Sequence, residues 1–326
     1  MISFFKEKST AAVIGLFIVS VSIRAFFWKH SPGIITSAGD GFIYYPLSQL
    51  SVLPGVALTF IYHLIIVLQA LRLNYVLNDV RMFPKIAFTT ALAYVILTAL
   101  LPAWNNISSA LIVNSMLIWL LHRLTKLYNT QQTKTLVYNI GLITGATILL
   151  YFPAFPLILV VFFALASFRP FRPNEWVILL IGILTPFYFL AGWLFLNDKL
   201  SLILQQLEIF RLYIIRPASI LFTVITFTIV GIAIIAGIFM WQSNSGRMVI
   251  QVRKNWGILF VMLILLLPPI YFVNNAWPDA LLLTAVPAAP FVSNTFLYPK
   301  RNIGPALLFW LLIALVVYNN WFIVKI

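Results

Sequence analysis

The sequence predicts an all-α integral membrane protein, and three observations indicate this class: the composition, the length of the apolar runs and the placement of the basic residues. Of the 326 residues, 62% are hydrophobic and only 9% are charged, whereas a soluble domain carries roughly 25% charged residues. A single core cannot hide this much apolar surface in a chain of this length. The surplus is expected to face lipid, which argues against a soluble enzyme, a secreted disulfide scaffold and a disordered protein.

Apolar runs of the length of membrane helices recur along the whole chain. A helix that crosses the hydrocarbon core needs about 20 apolar residues, with a range of about 17 to 25. The runs lie at 11–28, 52–71, 86–102, 107–122, 135–150, 154–168, 175–196, 217–240, 256–273, 279–297 and 304–322. We count about eleven spans, and the weakest runs leave a range of nine to eleven. Residues 1–326 are therefore predicted to form a single transmembrane domain.

The basic residues follow the positive-inside rule if eleven spans are present. With a cytoplasmic N-terminus, most of the 21 Lys and Arg residues fall in cytoplasmic segments, and each such segment carries at least two of them. The odd number of spans places the C-terminus outside the cytoplasm. A net charge of +14 would suggest a nucleic-acid partner in a soluble protein. Here the basic residues recur singly or in pairs between apolar runs, which favours membrane lipid and argues against nucleic acid.

The first long outer loop, 29–51, contains a candidate catalytic carboxylate. Asp40 lies between two glycines, and Tyr44 and Tyr45 follow it closely. A carboxylate at the membrane surface can act as a general base on an acceptor hydroxyl or as a metal ligand, and the aromatic rings can stack on a sugar. A plain Asp-Gly turn explains the same residues, because Asp tolerates the left-handed region.

The second long outer segment, 197–216, has leucine and isoleucine at helical spacing, which predicts an amphipathic helix in the membrane interface. Arg211 and Arg216 can hold the phosphate of a lipid-linked substrate, because a guanidinium matches phosphate geometry. They can equally snorkel to phospholipid head groups. Arg24, near the outer end of the first span, has the same two interpretations.

The remaining polar residues give weaker indications. Asp279 begins the tenth run and is expected to cap or compensate a helix, with ion or proton passage as the alternative. The chain has no cysteine and only three histidines, which lie far apart. No metal motif is present in the sequence, so the cofactor is left open, with a divalent metal as one candidate.

The architecture resembles the GT-C glycosyltransferases in three respects: a cytoplasmic N-terminus, an Asp in the first outer loop within GDGFIYYP, and a later outer loop with an interfacial helix. The late stretch WPDALLLTAVPAAPFVSNTF is similar to the proline-containing late spans of that superfamily, although no Arg precedes it, and the first loop lacks the second acid that many members show. The resemblance implies sugar transfer from a polyprenyl-phosphate-linked donor to an acceptor at the outer face. Asp40 then corresponds to the catalytic position, and the expected substrate-binding residues are Arg211, Arg216, Tyr44, Tyr45 and Arg24.

The chain also resembles an uncharacterised family of bacterial inner-membrane proteins, which implies a multi-pass protein of the cytoplasmic membrane. The alternative to the transferase is a non-catalytic subunit of a larger membrane complex, with membrane proteins as partners, or a transporter. A cavity converging on Asp40 would favour the enzyme. Dense buried polar residues between membrane helices would favour the transporter.

Overall fold

The computed structural model describes residues 2–7, 9–28, 31–35, 40–41, 52–129, 132–199, 220–273, 277–299 and 303–321. These residues form α-helices joined by turns and short 3-10 segments. Within these ranges the β-structure consists of two isolated backbone bridges. The chain is therefore all-α, as the sequence predicts.

The helices, in chain order, are α1 (Ile2–Phe5), α2 (Thr10–Ile23), α3 (Gly55–Asp79), α4 (Thr89–Leu97), α5 (Ser109–Thr125), α6 (Thr133–Leu150), α7 (Leu157–Phe168), α8 (Pro173–Leu196), α9 (Ile220–Asn244), α10 (Ile250–Leu265), α11 (Trp277–Leu282), α12 (Ala285–Leu297) and α13 (Ile303–Trp321).

Several of these helices have the length and composition of membrane spans. Within the described residues, six helical stretches are long and apolar enough to cross a membrane: Gly55–Asp79, Thr133–Leu150, Pro173–Leu196, Thr223–Arg247, Ile250–Phe272 and Ile303–Trp321. Large apolar side chains on them are open, such as Phe189 at 69% and Phe239 at 71% exposure. A soluble protein would bury most of these groups, so the fold indicates an all-α membrane protein.

Each predicted apolar run contains a helix, but some helices are much shorter than the runs. All residues of α4 are buried, and its nine residues extend only about 14 Å at about 1.5 Å per residue. The tenth run is divided, because α11 ends at Leu282 and α12 begins at Ala285. Composition alone does not separate a lipid-facing span from a short helix buried among other helices.

Helices α6 and α8 pack backbone to backbone. A Cβ atom at Gly141 would meet the carbonyl oxygen of Leu179, and one at Gly145 would overlap that of Ile183. Glycine at four-residue spacing permits this close approach, as in many membrane helix pairs. The contact fixes α6, and with it the position of Tyr151 at the C-terminal end of α6.

Candidate functional site

The first outer loop is held against the molecule at two places, and the first involves residues 33–35. Ile34 forms a parallel bridge with Ile107. The amide of Ile35 donates to the carbonyl of Ile107 over 3.2 Å, and the amide of Ile107 donates to that of Gly33 over 2.9 Å. The loop is therefore anchored directly beside the N-terminus of α5.

The second anchor contains Asp40. Asp40 and Tyr151 form an antiparallel bridge, and the amide of Gly41 donates to the carbonyl of Leu150 over 3.1 Å. A Cβ atom at Gly41 would overlap the carbonyl oxygen of Leu149, so only glycine allows the two backbones to approach this closely. Asp40 is 9% exposed. The Asp-Gly pair thus forms a buried backbone bridge, which differs from the plain turn considered in the sequence.

A second carboxylate, Asp279, lies within electrostatic range of Asp40. Asp279 is in the first turn of α11, is 6% exposed and accepts a hydrogen bond from the side chain of Ser108. Ser108 also caps α5, since its side-chain oxygen accepts from the amide of Leu111 over 3.3 Å. Burial and, secondly, the charge of Asp40 raise the pKa of Asp279, whereas the bond from Ser108 lowers it. The two carboxylates are therefore electrostatically coupled.

Tyr151 completes this group, which we call the carboxylate site: Asp40, Asp279, Tyr151 and Ser108. Burial raises the pKa of the Tyr151 hydroxyl well above its usual range, and the charges of Asp279 and Asp40 add to the effect. Its Oη atom is buried and has no hydrogen-bond partner among the described residues. A buried hydroxyl without a partner is costly, so Oη is an unused polar group beside the Asp40 bridge.

The carboxylate site combines groups suited to proton transfer. Because the charge of Asp40 acts on Asp279, ionisation of one carboxylate disfavours ionisation of the other. The pair can then supply a base and an acid in one place. Across the described parts of the chain, no group of three or more His, Asp or Glu could hold a metal ion. The oxygen atoms of the carboxylate site would suit a hard cation such as Mg²⁺ better than zinc.

An apolar cavity of about 500 Å³ adjoins the carboxylate site. Trp277 and Leu281 of α11 line the cavity, whereas Asp279, between them in sequence, bonds Ser108. The other walls are formed mainly by α4, α9 and the ends of α10 and α12, including Leu97, Phe227, Val230, Gly231, Leu263 and Ala288. The short helix α11 therefore separates an apolar compartment from a pair of carboxylates.

Residues 104–108 connect these features. Trp104 lines the cavity, and its indole Nε1 donates to the carbonyl of Pro278 over 2.5 Å. The side chain of Asn106 accepts from the amide of Gly33 over 3.0 Å, and Ile107 and Ser108 make the loop and carboxylate contacts described above. This segment, which we call the 104–108 segment, thus positions both the first outer loop and α11.

Arg24, which the sequence suggested as a phosphate-binding or snorkelling residue, lies inside the protein. It is 0% exposed. Its Nε donates to Asn105 Oδ1 over 3.1 Å, and its two terminal nitrogens donate to Ser20 Oγ over 3.3 Å and Thr98 Oγ1 over 3.1 Å. It also lies over the ring of Tyr62, at 5.3 Å. The guanidinium is occupied by protein groups, because the helices around α2 close over its outer end.

A buried polar network continues from Arg24 to the cavity wall. Asn105 Nδ2 donates to Asn320 Oδ1 over 2.7 Å. The neighbouring Asn319 donates to Thr226 Oγ1 over 3.0 Å, and Thr226 lines the cavity. Polar side chains thus join α2, the 104–108 segment, α13 and α9.

The structure brings Asp40 together with residues that sequence reasoning did not associate with it: Asp279, Tyr151 and Ser108. Tyr44, Tyr45, Arg211 and Arg216 lie outside the described residues, as do most of the segments 29–51 and 197–216. Only Asp279 carried a signal in the sequence, as an acid at the start of an apolar run, and a helix cap explained it equally well.

The fold and the site define an all-α membrane protein with a buried carboxylate pair beside an apolar cavity. Comparison of the chain with protein-family models, curated proteins and solved structures finds no match. The functional argument therefore depends on the geometry of the site.

Proposed function

We propose that the chain is a membrane glycosyltransferase that transfers a sugar from a polyprenyl-phosphate-linked donor to an acceptor at the outer face of the membrane, as the resemblance to GT-C enzymes implies. The observation that carries the proposal is the backbone bridge to Tyr151, which holds Asp40 within electrostatic range of the buried Asp279. A general base must be held in place beside its substrate, and a loop carboxylate fixed at its backbone meets that requirement.

In the proposed reaction, Asp40 accepts the proton of the acceptor hydroxyl while the hydroxyl oxygen attacks the anomeric carbon of the donor. The bond from this carbon to the phosphate oxygen breaks, and the polyprenyl phosphate leaves with the bonding electrons. The raised pKa of Asp279 favours its protonated form. Asp40 is then the carboxylate of the pair that carries the negative charge. Asp40 is then the base, and Asp279 sets its charge state.

The cavity of about 500 Å³ supports a lipid-linked substrate. Its lining is almost entirely apolar, with Trp104, Trp277 and Phe227 on its walls, which suits a branched hydrocarbon chain. Since α11 contributes to both the cavity and the carboxylate site, a chain in the cavity would place its polar end near the carboxylates.

The remaining substrate contacts are proposals from the sequence. Arg211 and Arg216 would hold the donor phosphate, and Tyr44 and Tyr45 would face the sugar. Arg216 precedes the start of α9 by only a few residues, and α9 lines the cavity from Thr223 onward. Arg24 is assigned a positioning role instead, because its hydrogen bonds go to Asn105 and other protein groups.

We also propose eleven membrane crossings, with the N-terminus in the cytoplasm and the C-terminus outside, in a bacterial inner membrane. The count of eleven comes from the apolar runs of the sequence, and six of the described helical stretches have the length and composition of a span. The distribution of basic residues supports the orientation. In this topology Asp40 and Asp279 belong to the outer side.

A transporter is the second candidate, and the polar network from Arg24 through Asn105 and Asn320 favours it. Buried polar chains between membrane helices often mark substrate or ion pathways. The two candidates differ in their product, since a transporter moves its substrate unchanged whereas a transferase leaves a new glycosidic bond.

The most direct test of the proposed function is a variant whose new side chain fills part of the cavity. A Cβ atom at Gly231 would meet open space, so Gly231→Leu should fold while blocking part of the cavity. Gly192→Leu is the matched control, because Gly192 also meets open space and lies outside the cavity lining. Binding and turnover of a polyprenyl-phosphate sugar by purified protein should fall at least about tenfold in Gly231→Leu, as expected for about 1.4 kcal/mol of lost contact.

The control variant should bind and turn over the donor as the wild type does. Equal donor binding in Gly231→Leu and Gly192→Leu would remove the cavity from the substrate site. In the same assay Arg216→Lys should weaken binding, because lysine cannot form the two-pronged phosphate contact. Movement of the sugar lipid across a vesicle membrane without a glycosidic product would favour the transporter.

A further inference from the structure

A second candidate site is a groove between α3 and the middle of α5. The groove has a volume of about 250 Å³, and its lining residues are Ile65, Leu68, Gln69, Arg72, Ser115 and Ile118. Leu68 is 56% exposed. Along α3 the lining changes from Ile65 and Leu68 to Arg72 over two helical turns. An apolar wall therefore leads to a cationic end.

The hydrogen bonds of Gln69 and Ser115 within the protein show which of their polar atoms can still serve a ligand in the groove. The atoms that remain are hydrogen-bond donors. Gln69 Oε1 accepts from Tyr94 Oη over 2.7 Å, and Gln69 Nε2 donates to Leu111 O over 2.6 Å and to Ser115 Oγ over 2.8 Å. Both ends of the Gln69 amide are thereby engaged. Because Ser115 accepts this bond, its own hydroxyl hydrogen remains available to a ligand in the groove.

The cationic end of the groove is dominated by positive charge. Arg72 Nη2 lies 3.0 Å from His122 Nδ1. Since the guanidinium can only donate, this imidazole nitrogen accepts, and the Nε2–H of His122 is a further donor. The charges of Lys126 and Arg123 also act on His122, and Asp79 is the acid whose charge reaches it. The three cations Arg72, Arg123 and Lys126 outnumber the one acid, Asp79, around His122. This excess of positive charge favours binding of an anion.

From the apolar wall, the donor-only polar groups and the excess positive charge, we propose that this groove binds an anionic phospholipid. The phosphate lies at Arg72 and Ser115, and one acyl chain lies against Ile65, Leu68 and Ile118. A phospholipid is favoured over a free phosphate because the cationic end continues into an apolar wall that opens to the lipid-facing surface. This proposal is independent of the glycosyltransferase proposal, since no residue of the carboxylate site lines the groove.

The test uses the purified full chain in detergent and counts bound lipid by native mass spectrometry. The probes are phosphatidylglycerol and phosphatidylcholine with identical acyl chains, and inorganic phosphate as a competitor. Phosphatidylglycerol should bind about tenfold more tightly than phosphatidylcholine, and Arg72→Gln should remove that difference. Arg253→Gln is the matched control, since Arg253 is also an exposed cation but lies on α10, outside the groove; it should bind as the wild type does.

Three results would overturn the proposal: equal binding of the two lipids by the wild type, unchanged phosphatidylglycerol binding by Arg72→Gln, or displacement of the lipid by inorganic phosphate at equal concentration. If Arg72→Gln does not fold, Ser115→Ala decides the question. Ser115 is exposed, so its truncation should be tolerated, and it should weaken phosphatidylglycerol binding severalfold. Wild-type binding by Ser115→Ala would then contradict the proposed phosphate position.

Discussion

Asp40 and Tyr151 are joined by an antiparallel backbone bridge, so the position of the loop carboxylate is set by the C-terminal end of α6. The bridge has two consequences. It places Asp40 within electrostatic range of Asp279. It also brings the Oη of Tyr151, which has no hydrogen-bond partner among the described residues, into the electrostatic range of both acids. A functional carboxylate on a loop requires such a fixed support.

The bridge should fail when Gly41 gains a side chain. In Gly41→Ala the new Cβ atom would overlap the carbonyl oxygen of Leu149, and overpacking of this kind costs about 1–3 kcal/mol. We expect the loop to leave its position and activity to fall as far as in Asp40→Asn. Activity and apparent melting temperature in detergent measure the two effects separately. Gly192→Ala, at a position with open space, is the control, and wild-type activity in Gly41→Ala would refute the role of the bridge.

Removal of the Tyr151 hydroxyl should separate binding from stability. Tyr151→Phe keeps the ring and deletes a buried Oη without a partner among the described residues. Leaving such a group unpaired costs about 1–3 kcal/mol, so the variant should be at least as stable as the wild type. If Oη contacts the substrate, the KM for the donor or acceptor should rise. A variant that unfolds more easily with unchanged kinetics would assign Tyr151 a purely structural role.

The charge of Asp279 should make stability depend on pH. Burial and the charge of Asp40 raise the pKa of Asp279 in the folded protein, whereas an aspartate in the unfolded chain titrates near about 3.9. The folded state therefore binds the proton more tightly, and stability is lost as the pH rises from about 4 through the folded pKa. Asp279→Asn should flatten this dependence and stabilise the protein at neutral pH. Apparent melting temperatures at a fixed scan rate measure the effect.

The control for this experiment is Asp198→Asn, because Asp198 is also an exposed aspartate and its charge is not among those that act on Asp279; it should leave the pH dependence of the wild type. A wild-type protein that becomes more stable between pH 4 and neutrality, with Asp279→Asn following the same curve, would show that Asp279 is not a proton-binding group of the folded state.

The proposed topology can be tested with single cysteines, since the chain has none of its own. A cysteine at Ser37 should react with an impermeant thiol reagent in intact cells. Cysteines at Asn129, Ser243 and Asn302 should be protected until the membrane is opened. Labelling of Asn302 from outside, with Ser37 still reactive, would reduce the number of crossings.

The sequence predicted the fold class and a helix in each apolar run, because apolar runs are local properties. It did not predict that α4 is a short buried helix or that α11 and α12 are separate. The run that contains α4 and the run that contains α11 and α12 each have the composition of a membrane span. The length of these helices depends on how neighbouring helices pack, which a single run does not encode.

The candidate site was predicted only in part. Asp40 was identified from its loop and its resemblance to the GT-C position, but the residues around it come from distant parts of the chain. Asp279 had the appearance of a helix cap, and Tyr151 and Ser108 had no signal of their own. Arg24 was expected at the surface, because its position near the end of an apolar run does not reveal the polar groups that enclose it.

The central claim, that Asp40 is the base of a transferase, is tested most directly by Asp40→Asn expressed in a deletion strain, with Asp79→Asn as the control. An amide keeps the shape of the side chain but cannot accept a proton, so glycan transfer should fall about 10²- to 10⁴-fold while membrane insertion stays normal. Asp79→Asn should restore the lipid-linked and cell-surface glycans of the wild type. Full restoration by Asp40→Asn, against a clear defect in the deletion strain, would contradict the claim.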